Sequence, residues 1–174
     1  MALSYSALTE AISVPAKPGL ARIHAPVITI REYSDEDWDA IRGVHDHARP
    51  DELRGSCDPR AFVPLAEDAE YREDILRSRK LLACENDRVV GFVGVDGDYV
   101  SWLYVDPEHY GRGIGRQLLR RGMELAGRGA FTIALAGNAR ALSLYESEGF
   151  VVTESFECEN ARYPCTCVRL ALNP

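Results

Sequence analysis

Apolar and polar residues follow two different periods along this chain, and the change of period marks its elements. From Val27 the segment VITIRE alternates as a half-buried strand does. Ser34 to Asp37 then opens a helix with a Ser…Asp spacing like that of a capping box. A second, more acidic helical stretch spans roughly residues 63–78. The pattern therefore predicts one strand followed by two helices.

The rest of the chain predicts strands, tight turns and two more helices. Asn86-Asp87 and Asp96-Gly97 are typical of two-residue hairpin turns. One helix runs from a glycine-rich turn to about residue 126, and another covers residues 138–148. Strands are predicted at 80–85, 88–95, 99–105, 131–136, 150–158 and 163–172. The order β-α-α-β-β-β-α-β-α-β-β predicts an α/β fold, a sheet of mixed direction covered by helices.

Composition limits the protein to one domain and excludes some partners. The 174 residues are 46% hydrophobic and 27% charged, which is typical of a globular protein. The net charge of -7 disfavours nucleic acid and anionic membrane surfaces as partners. We find no apolar run long enough to span a bilayer and no secretory leader pattern. The five cysteines are an odd number, which favours a reduced, cytoplasmic protein.

The first 26 residues differ from the rest. Pro15, Pro18, Gly19 and Pro26 predict an irregular linker. Apolar residues ahead of that linker recur at helical spacing, which fits either a short docking helix or a frayed terminus. We therefore divide the chain into an N-terminal extension, residues 1–26, and one folded domain, residues 27–174.

The glycine-rich turn after residue 105 is the most informative segment. Gly111, Gly113 and Gly115 lie at alternate positions just before a helix, with Arg112 and Arg116 beside them. Glycines let a backbone approach a ligand closely, and a helix N-terminus offers unpaired N–H groups to an anion. The segment therefore predicts a site for phosphate or pyrophosphate, although a plain strand-to-helix turn is the simpler alternative. The spacing matches neither the GxxxxGK[ST] pattern nor GxGxxG, which disfavours a nucleoside triphosphatase and a dinucleotide enzyme.

A second motif lies in the helix at 138–148. Asn138 suits a helix N-cap, and Gly149 stands where the chain must turn left-handed to leave the helix. Ala141 and Tyr145 lie one turn apart on one face. By itself the helix leaves two readings open: a functional phenol beside a small residue, or a half-buried aromatic side chain.

Together these segments resemble the GNAT superfamily of acyl-CoA-dependent N-acetyltransferases. Gly113 and Gly115 match the small positions of its [Q/R]-x-x-G-x-[G/A] motif, while Tyr110 replaces the polar residue. The helix matches the family segment N-x-x-A-x-x-x-Y-x-x-x-G-F. The likeness extends from about residue 27 to the C-terminus. It implies a GNAT-like mixed, mostly antiparallel twisted sheet of about seven strands, flanked by about four helices.

The resemblance also implies a reaction and a set of residues. The reaction is transfer of an acetyl group from acetyl-CoA to an amine by direct attack, without a metal. Tyr145 would be the general acid for the CoA thiolate, and the strand at 100–105 would open a V-shaped slot against the strand at 131–136. The expected acetyl-CoA-binding residues are Leu103, Tyr104, Val105, Gly111, Arg112, Gly113, Ile114, Gly115, Arg116 and Asn138.

The general base is left open by the sequence. Tyr104 shares a strand face with Trp102 and could relay a proton, while Glu85, Asp96 and His109 are alternatives. Of these, Asp96 better suits the hairpin turn and His109 an exposed loop.

Two further pairs of residues are interpreted as structural. His45 and His47 face different directions on a helix, which favours a solvated surface over a metal site. Cys165 and Cys167 are interpreted as buried thiols beside the sheet, because no second cluster offers further metal ligands.

The acceptor is expected to be a primary amine of a small molecule or a protein. The first two helices and the last hairpin would form its side of the site, and their acidic residues favour a cationic amine. A homodimer is left open. The alternatives are a non-catalytic acyl-CoA-binding sensory or regulatory module, and transfer of a longer acyl group.

Overall fold

A computed structural model describes residues 27–172 of the chain, so the expectations for residues 1–26 lie outside the described residues. Seven strands form one sheet in the order β1-β2-β3-β4-β5-β7-β6. The strands are β1 Ile28–Glu32, β2 Arg79–Glu85, β3 Arg88–Asp96, β4 Tyr99–Val105, β5 Phe131–Leu135, β6 Phe150–Asn160 and β7 Tyr163–Leu172. The helices are α1 Trp38–Leu53, α2 Ala69–Arg77, α3 Ile114–Ala126 and α4 Ala139–Ser147. Only β4 and β5 pair in parallel, which confirms the predicted mixed, mostly antiparallel sheet with four helices.

The predicted elements are all present, but three boundaries move. Helix α2 begins only at Ala69, because a turn follows Pro64. The β3–β4 turn is Gly97-Asp98, one residue later than predicted. The last hairpin extends to Asn160 and turns at Ala161 and Arg162, with φ angles of 46° and 72°. Ala-Arg is not a pair that sequence rules associate with left-handed turns, which explains the last difference.

The core has two main layers, one on each face of the sheet. Helix α3 buries Ile114, Leu118 and Leu119 against one face. Gly122 allows that close approach, since a Cβ there would lie 2.8 Å from a Val93 methyl. Helices α1 and α2 cover the opposite face through a separate cluster that includes Ile41, Val44, Ile75, Phe92 and Trp102. Packing on both faces fixes the helix ends that border the site.

Strands β4 and β5 separate almost at once. Their parallel pairing is confined to Tyr99 and Phe131, although both strands continue for several residues. Ser101 is the extra residue of a bulge, because Val100 pairs with Val95 and Trp102 with Gly94. A bulge bends its strand, so β4 turns away from β5 and leaves the predicted slot between them.

The cysteines correct one expectation. Cys167 forms a disulfide with Cys158 and is not a buried thiol, whereas Cys165 is a free, buried thiol as expected. The β6–β7 register allows this pairing, because it sets Cys158 opposite Cys165 and two pairs away from Cys167, on the same face of the hairpin. The sequence does not determine that register.

No helix within residues 27–172 is long and apolar enough to cross a membrane.

Candidate active site

A cavity of about 820 Å³ opens between β4 and the loop that follows β5. It is bounded by α1, the glycine-rich turn and the start of α4. The cavity brings together nine of the ten residues expected to bind acetyl-CoA: Leu103, Tyr104, Val105, Gly111, Gly113, Ile114, Gly115, Arg116 and Asn138. The tenth, Arg112, does not line it and instead pairs with Glu85 on the surface.

The glycine turn has the backbone that a phosphate site requires. Gly111 and Gly113 have φ angles of 74° and 76°, and Gly113 is the N-cap of α3. A Cβ on either residue would meet nothing within 4 Å, so the space above the turn is open. The first turn of a 13-residue helix therefore presents its N–H groups to open space.

Acidic partners balance most of the arginines near this turn. Arg116 lies 2.9 Å from a Glu148 carboxylate oxygen, and Arg120 lies 2.7 Å from the other oxygen of the same group. The Arg120 guanidinium is the main cause of a Glu148 pKa below its usual value. Arg116 nevertheless lines the cavity, so an arriving phosphate can share its guanidinium.

Arg140 supplies a positive charge beside Tyr110, which stands where the family motif has Gln or Arg. Its guanidinium lies 4.0 Å from the centre of the Tyr110 ring, and both residues line the cavity. A cation over an aromatic face is held in place by the ring quadrupole. A positive group from α4 therefore lies beside the position where the family motif carries Gln or Arg. Sequence reasoning missed Arg140, because the two residues are thirty positions apart.

The donors present fit acetyl-CoA on the diphosphate side. Arg116, Arg140 and the glycine turn with its open backbone N–H groups line the cavity, together with the apolar residues Leu103, Ala141 and Leu144. A charged, hydrogen-bonding end and an apolar wall match a diphosphate and a pantetheine arm respectively.

Helix α4 begins and ends as its sequence predicts. The Asn138 side-chain oxygen accepts the Ala141 N–H at 3.2 Å, and Gly149 has a φ of 92°. Tyr145 is buried, packs edge-on against Phe150 and does not itself line the cavity. Burial raises the pKa of Tyr145 to about 12, so its hydroxyl stays protonated at neutral pH.

A second, smaller pocket of about 200 Å³ meets the cavity at Glu52, Ser101 and Tyr104. Its lining comes from α1, α2, β3, β4, β5 and the β6–β7 hairpin. The charged groups in that lining are Arg49, Glu52, Asp74, Arg77 and Asp96. The pocket thus contains one more carboxylate than guanidinium groups, which favours a cation.

A hydrogen-bond network lies where the two spaces meet. The Tyr104 hydroxyl donates to Glu52 at 2.5 Å, and Arg49 lies 2.6 Å from the same carboxylate oxygen. Arg49 also donates to the Asn160 side-chain oxygen, which accepts the Tyr71 hydroxyl at 2.8 Å. Burial and the adjacent Glu52 raise the pKa of Tyr104 well above its usual value. Tyr104 therefore keeps its proton at neutral pH, and Glu52 is the group in the network that can accept one.

The other candidate bases lie elsewhere. Glu85 pairs with His109 at 3.2 Å and with Arg112, on the side of the glycine turn. His109 is buried, so the expectation of an exposed loop is wrong; the short helix after Pro107 turns its ring inward. Asp96 lies 3.2 Å from Arg77 at the rim of the smaller pocket. Sequence reasoning missed Glu52, because it stands on α1 with no motif around it.

The two histidines of α1 face different directions, as predicted. Only one of them lies on the solvated surface where both were expected. His47 is exposed, whereas His45 has no exposed area and packs 4.9 Å from the Tyr104 ring centre. The correction for His45 follows from its position one residue after Val44, on the side of α1 that faces the sheet. Burial lowers the pKa of His45.

Comparisons with known proteins agree with this geometry. The family model described as an acetyltransferase (GNAT) domain matches residues 77–152. The peptidyl-lysine N-acetyltransferase YjaB of Escherichia coli is 31% identical over 112 residues, which cover 59% of this chain and 76% of that protein. The L-amino acid N-acyltransferase MnaT of Escherichia coli is 36% identical over 87 residues, covering 42% of this chain and 50% of that protein. The chain belongs to the GNAT acetyltransferase family and is an acyl-CoA-dependent N-acyltransferase.

Solved structures support the same fold. A GCN5-related N-acetyltransferase from Rhodopseudomonas palustris has a TM-score of 0.75 at 19% identity, covering 90% of this chain and all of that one. The protein yncA from Salmonella typhimurium, solved with its cofactor acetyl-CoA, has a TM-score of 0.62 at 25% identity. That likeness covers 85% of this chain and 95% of that chain.

Proposed function

We propose that this enzyme transfers an acetyl group from acetyl-CoA to a primary amine of a small molecule or protein by direct attack. The observation that carries the proposal is the meeting of two unlike spaces at Glu52 and Tyr104. One space has an open phosphate-binding turn, and the other has an excess of carboxylates. Acetyl-CoA would supply an activated acyl group where they meet.

The first task of the protein is to hold the two reactants together. The α3 N-terminus, Arg116 and Arg140 would bind the diphosphate, while the edge of β4 that faces away from β3 would bind the pantetheine arm. That edge lacks a strand partner beyond Tyr99. The Val100 carbonyl accepts the Thr132 hydroxyl at 2.9 Å, and the N–H and C=O groups after it are available to hydrogen-bond a ligand. Holding both reactants in this way converts an encounter in solution into a reaction within one site.

Glu52 is our proposed general base, with Tyr104 as the relay. An amine is protonated at neutral pH and must lose a proton before it can attack. The Glu52 carboxylate attracts the ammonium group and accepts the proton, directly or through the Tyr104 hydroxyl 2.5 Å away. Arg49 and the Tyr104 hydroxyl hold the carboxylate in one position, which is the geometric condition for proton transfer.

Tyr145 is our proposed general acid for the CoA thiolate. The proposal rests on the motif that Tyr145 shares with the family and on its place in α4, next to Leu144, which lines the cavity. A pKa of about 12 keeps the hydroxyl protonated and able to donate a hydrogen bond. Its burial requires that the thiolate form at the inner end of the cavity.

The acceptor is best sought among small cationic amines. The smaller pocket has room for one amine-bearing side chain or a single amino acid, and its charge suits an ammonium group. The relatives are named for peptidyl-lysine and for L-amino acids, so both classes belong in a substrate screen.

The test is release of CoA thiol from acetyl-CoA in the presence of polyamines, amino acids and lysine peptides. With the best amine, Glu52→Gln should lower kcat/KM by about 10²–10⁴-fold, which is the usual contribution of a general base. The matched control is Asp39→Asn on the same helix, because its exposed carboxylate contacts Arg42 and lies outside both spaces. A Glu52→Gln enzyme as active as the Asp39→Asn control would contradict the assignment.

The same experiment distinguishes the alternative function, a protein that binds acyl-CoA without catalysis. Acetyl-CoA that binds in calorimetry without thiol release for any amine class would indicate a non-catalytic, acyl-CoA-sensing protein. Release with longer acyl-CoA thioesters in preference to acetyl-CoA would instead change the donor assigned here.

A further inference from the structure

Four of the five cysteines meet beside the smaller pocket, although they come from three parts of the chain. Cys158 lies on β6, Cys165 and Cys167 lie on β7, and Cys57 lies in the loop after α1 and packs against the same cluster. We call these four residues the thiol cluster. The fifth, Cys84, lies on β2 in a different part of the core.

Three sulfur atoms of the thiol cluster have the spacing of a metal site. The Sγ atoms of Cys158, Cys165 and Cys167 all lie within 4.8 Å of one another. Those of Cys158 and Cys165 are 3.2 Å apart. In a tetrahedral zinc–thiolate site with Zn–S bonds of about 2.3 Å, neighbouring sulfurs are about 3.8 Å apart. The three sulfurs are therefore close enough to occupy three corners of one tetrahedron after small movements.

The surroundings place a hydrogen-bond donor beside one sulfur atom and a buried cation behind that donor. Asn160 donates a hydrogen bond from its amide nitrogen to the Cys165 sulfur at 3.6 Å, while its oxygen accepts from the buried Arg49. A nearby cation and a donor aimed at sulfur are the outer partners that support metal-bound thiolates.

We propose that the reduced thiol cluster binds one Zn²⁺ through Cys158, Cys165 and Cys167, with Cys57 as the fourth ligand. The Cys158–Cys167 disulfide is the oxidised, metal-free form of the same site. A dithiol or phosphine reductant supplies two electrons, is itself oxidised, and leaves two thiols in place of the disulfide. The four thiols then release their protons to solvent as the metal binds.

The metal would brace the acceptor side of the enzyme. Cys167 lines the smaller pocket, and Asn160 connects the Cys165 sulfur to Arg49, the partner of Glu52. Zinc would tie the end of the β6–β7 hairpin to the loop after α1. This role is separate from acetyl transfer, since a failed metal titration leaves the thiol-release assay unaffected.

The experiment is a Co²⁺ titration of the full chain, reduced with a phosphine and stripped of metal, followed by displacement with Zn²⁺. We expect one equivalent of Co²⁺ with the absorption bands of tetrahedral cobalt thiolate, and their loss as Zn²⁺ replaces it. Loss of an outer partner alone typically costs roughly 10–100-fold in metal affinity, so Cys165→Ser should weaken binding by roughly 100-fold or more. Cys84→Ser is the matched control and should bind as the parent does.

Three results would overturn the proposal. The folded, reduced parent protein could bind well under one equivalent, the disulfide could persist in the folded protein under reductant, or Cys84→Ser could weaken binding as much as Cys165→Ser. Circular dichroism verifies that each variant is folded, and the titration of the parent protein needs no variant. Cys57→Ser tests the fourth ligand, with a roughly tenfold loss expected and an unchanged Co²⁺ spectrum assigning that position to another group.

Discussion

The two spaces of the active site are built in opposite ways. The larger cavity takes much of its lining from one continuous stretch, from Leu103 to Arg116, with the start of α4 added. The smaller pocket takes its lining from six separate elements that only the finished fold brings together. The larger cavity presents open backbone to a ligand, while the smaller one is held by buried side chains that bond to each other.

This contrast separates the part of the site that binds acetyl-CoA from the part that transfers protons. A diphosphate can be held by main-chain N–H groups, which any sequence with the right glycines provides. A proton must be taken by one side chain in one position, and that position depends on partners such as Arg49. We therefore expect changes in the glycine turn to alter the affinity for acetyl-CoA, and changes around Glu52 and Tyr145 to alter turnover.

After Glu52→Gln, the largest effect should come from Tyr145→Phe. Removing the hydroxyl while keeping the ring should lower kcat by about 10²-fold or more, since proton transfer by a placed side chain contributes that much. The KM for acetyl-CoA should stay nearly constant, because the thiolate that Tyr145 would protonate forms only as the acyl group is transferred. Steady-state kinetics with the best amine measures both quantities, and an unchanged kcat would remove Tyr145 from the mechanism.

A smaller effect, confined to binding, should follow from Gly113→Ala. Placing an L-residue at a φ of 76° costs about 1–2 kcal/mol and displaces the first N–H groups of α3. We expect the Kd for CoA to rise about tenfold in calorimetry, with little change in kcat at saturation. Gly97→Ala is the control, because Gly97 has a similar φ of 62° in a hairpin outside both spaces. An equal loss of CoA affinity in both variants would make the effect a general one of stability.

Arg140→Ala should produce a further, smaller loss. Arg140 is exposed and screened by solvent, so we expect the KM for acetyl-CoA to rise about three- to fivefold, as for one partly solvated ion pair. Arg121→Ala provides the control, since Arg121 pairs with Glu124 and lies outside the cavity. In the Arg140→Ala background, Tyr110→Gln should restore part of the affinity. A KM that changes neither in Arg140→Ala nor on adding Tyr110→Gln would leave the diphosphate to Arg116 and the backbone of the glycine turn.

The sequence predicts the features that depend on nearby residues and misses those that depend on residues far apart in the chain. The strand and helix order, the glycine turn and the Asn138 cap depend on neighbours within a few residues, and sequence rules capture them. Glu52 and Arg140 depend on partners 52 and 30 positions away, Tyr104 and Tyr110, and no local pattern marks either residue. The Cys158–Cys167 pairing depends on the register of the β6–β7 hairpin. The residue types of its turn, Ala161-Arg162, do not predict that register.

The smallest expected effect concerns His45, which packs against Tyr104 on the acceptor side of the site. Burial lowers the pKa of His45 from 6.5, so below about pH 6.5 the unfolded chain binds more protons there than the folded one. The stability that depends on neutral His45 is complete above that pH and decreases as the pH falls. Between pH 6.5 and 5.5 the free energy of unfolding should drop by about 1 kcal/mol at most from this group.

Urea denaturation at pH 7.5, 6.5 and 5.5 measures that slope. His45→Gln should flatten it, whereas His47→Gln, on the exposed side of the same helix, should retain it. The carboxyl groups of Asp37 and Glu148, whose pKa values lie below their usual range, lose their stabilising effect only as the pH falls further. The window above pH 5.5 thus isolates the histidine. An equal slope in the parent and in His45→Gln would show that His45 does not couple pH to the α1 packing that positions Glu52.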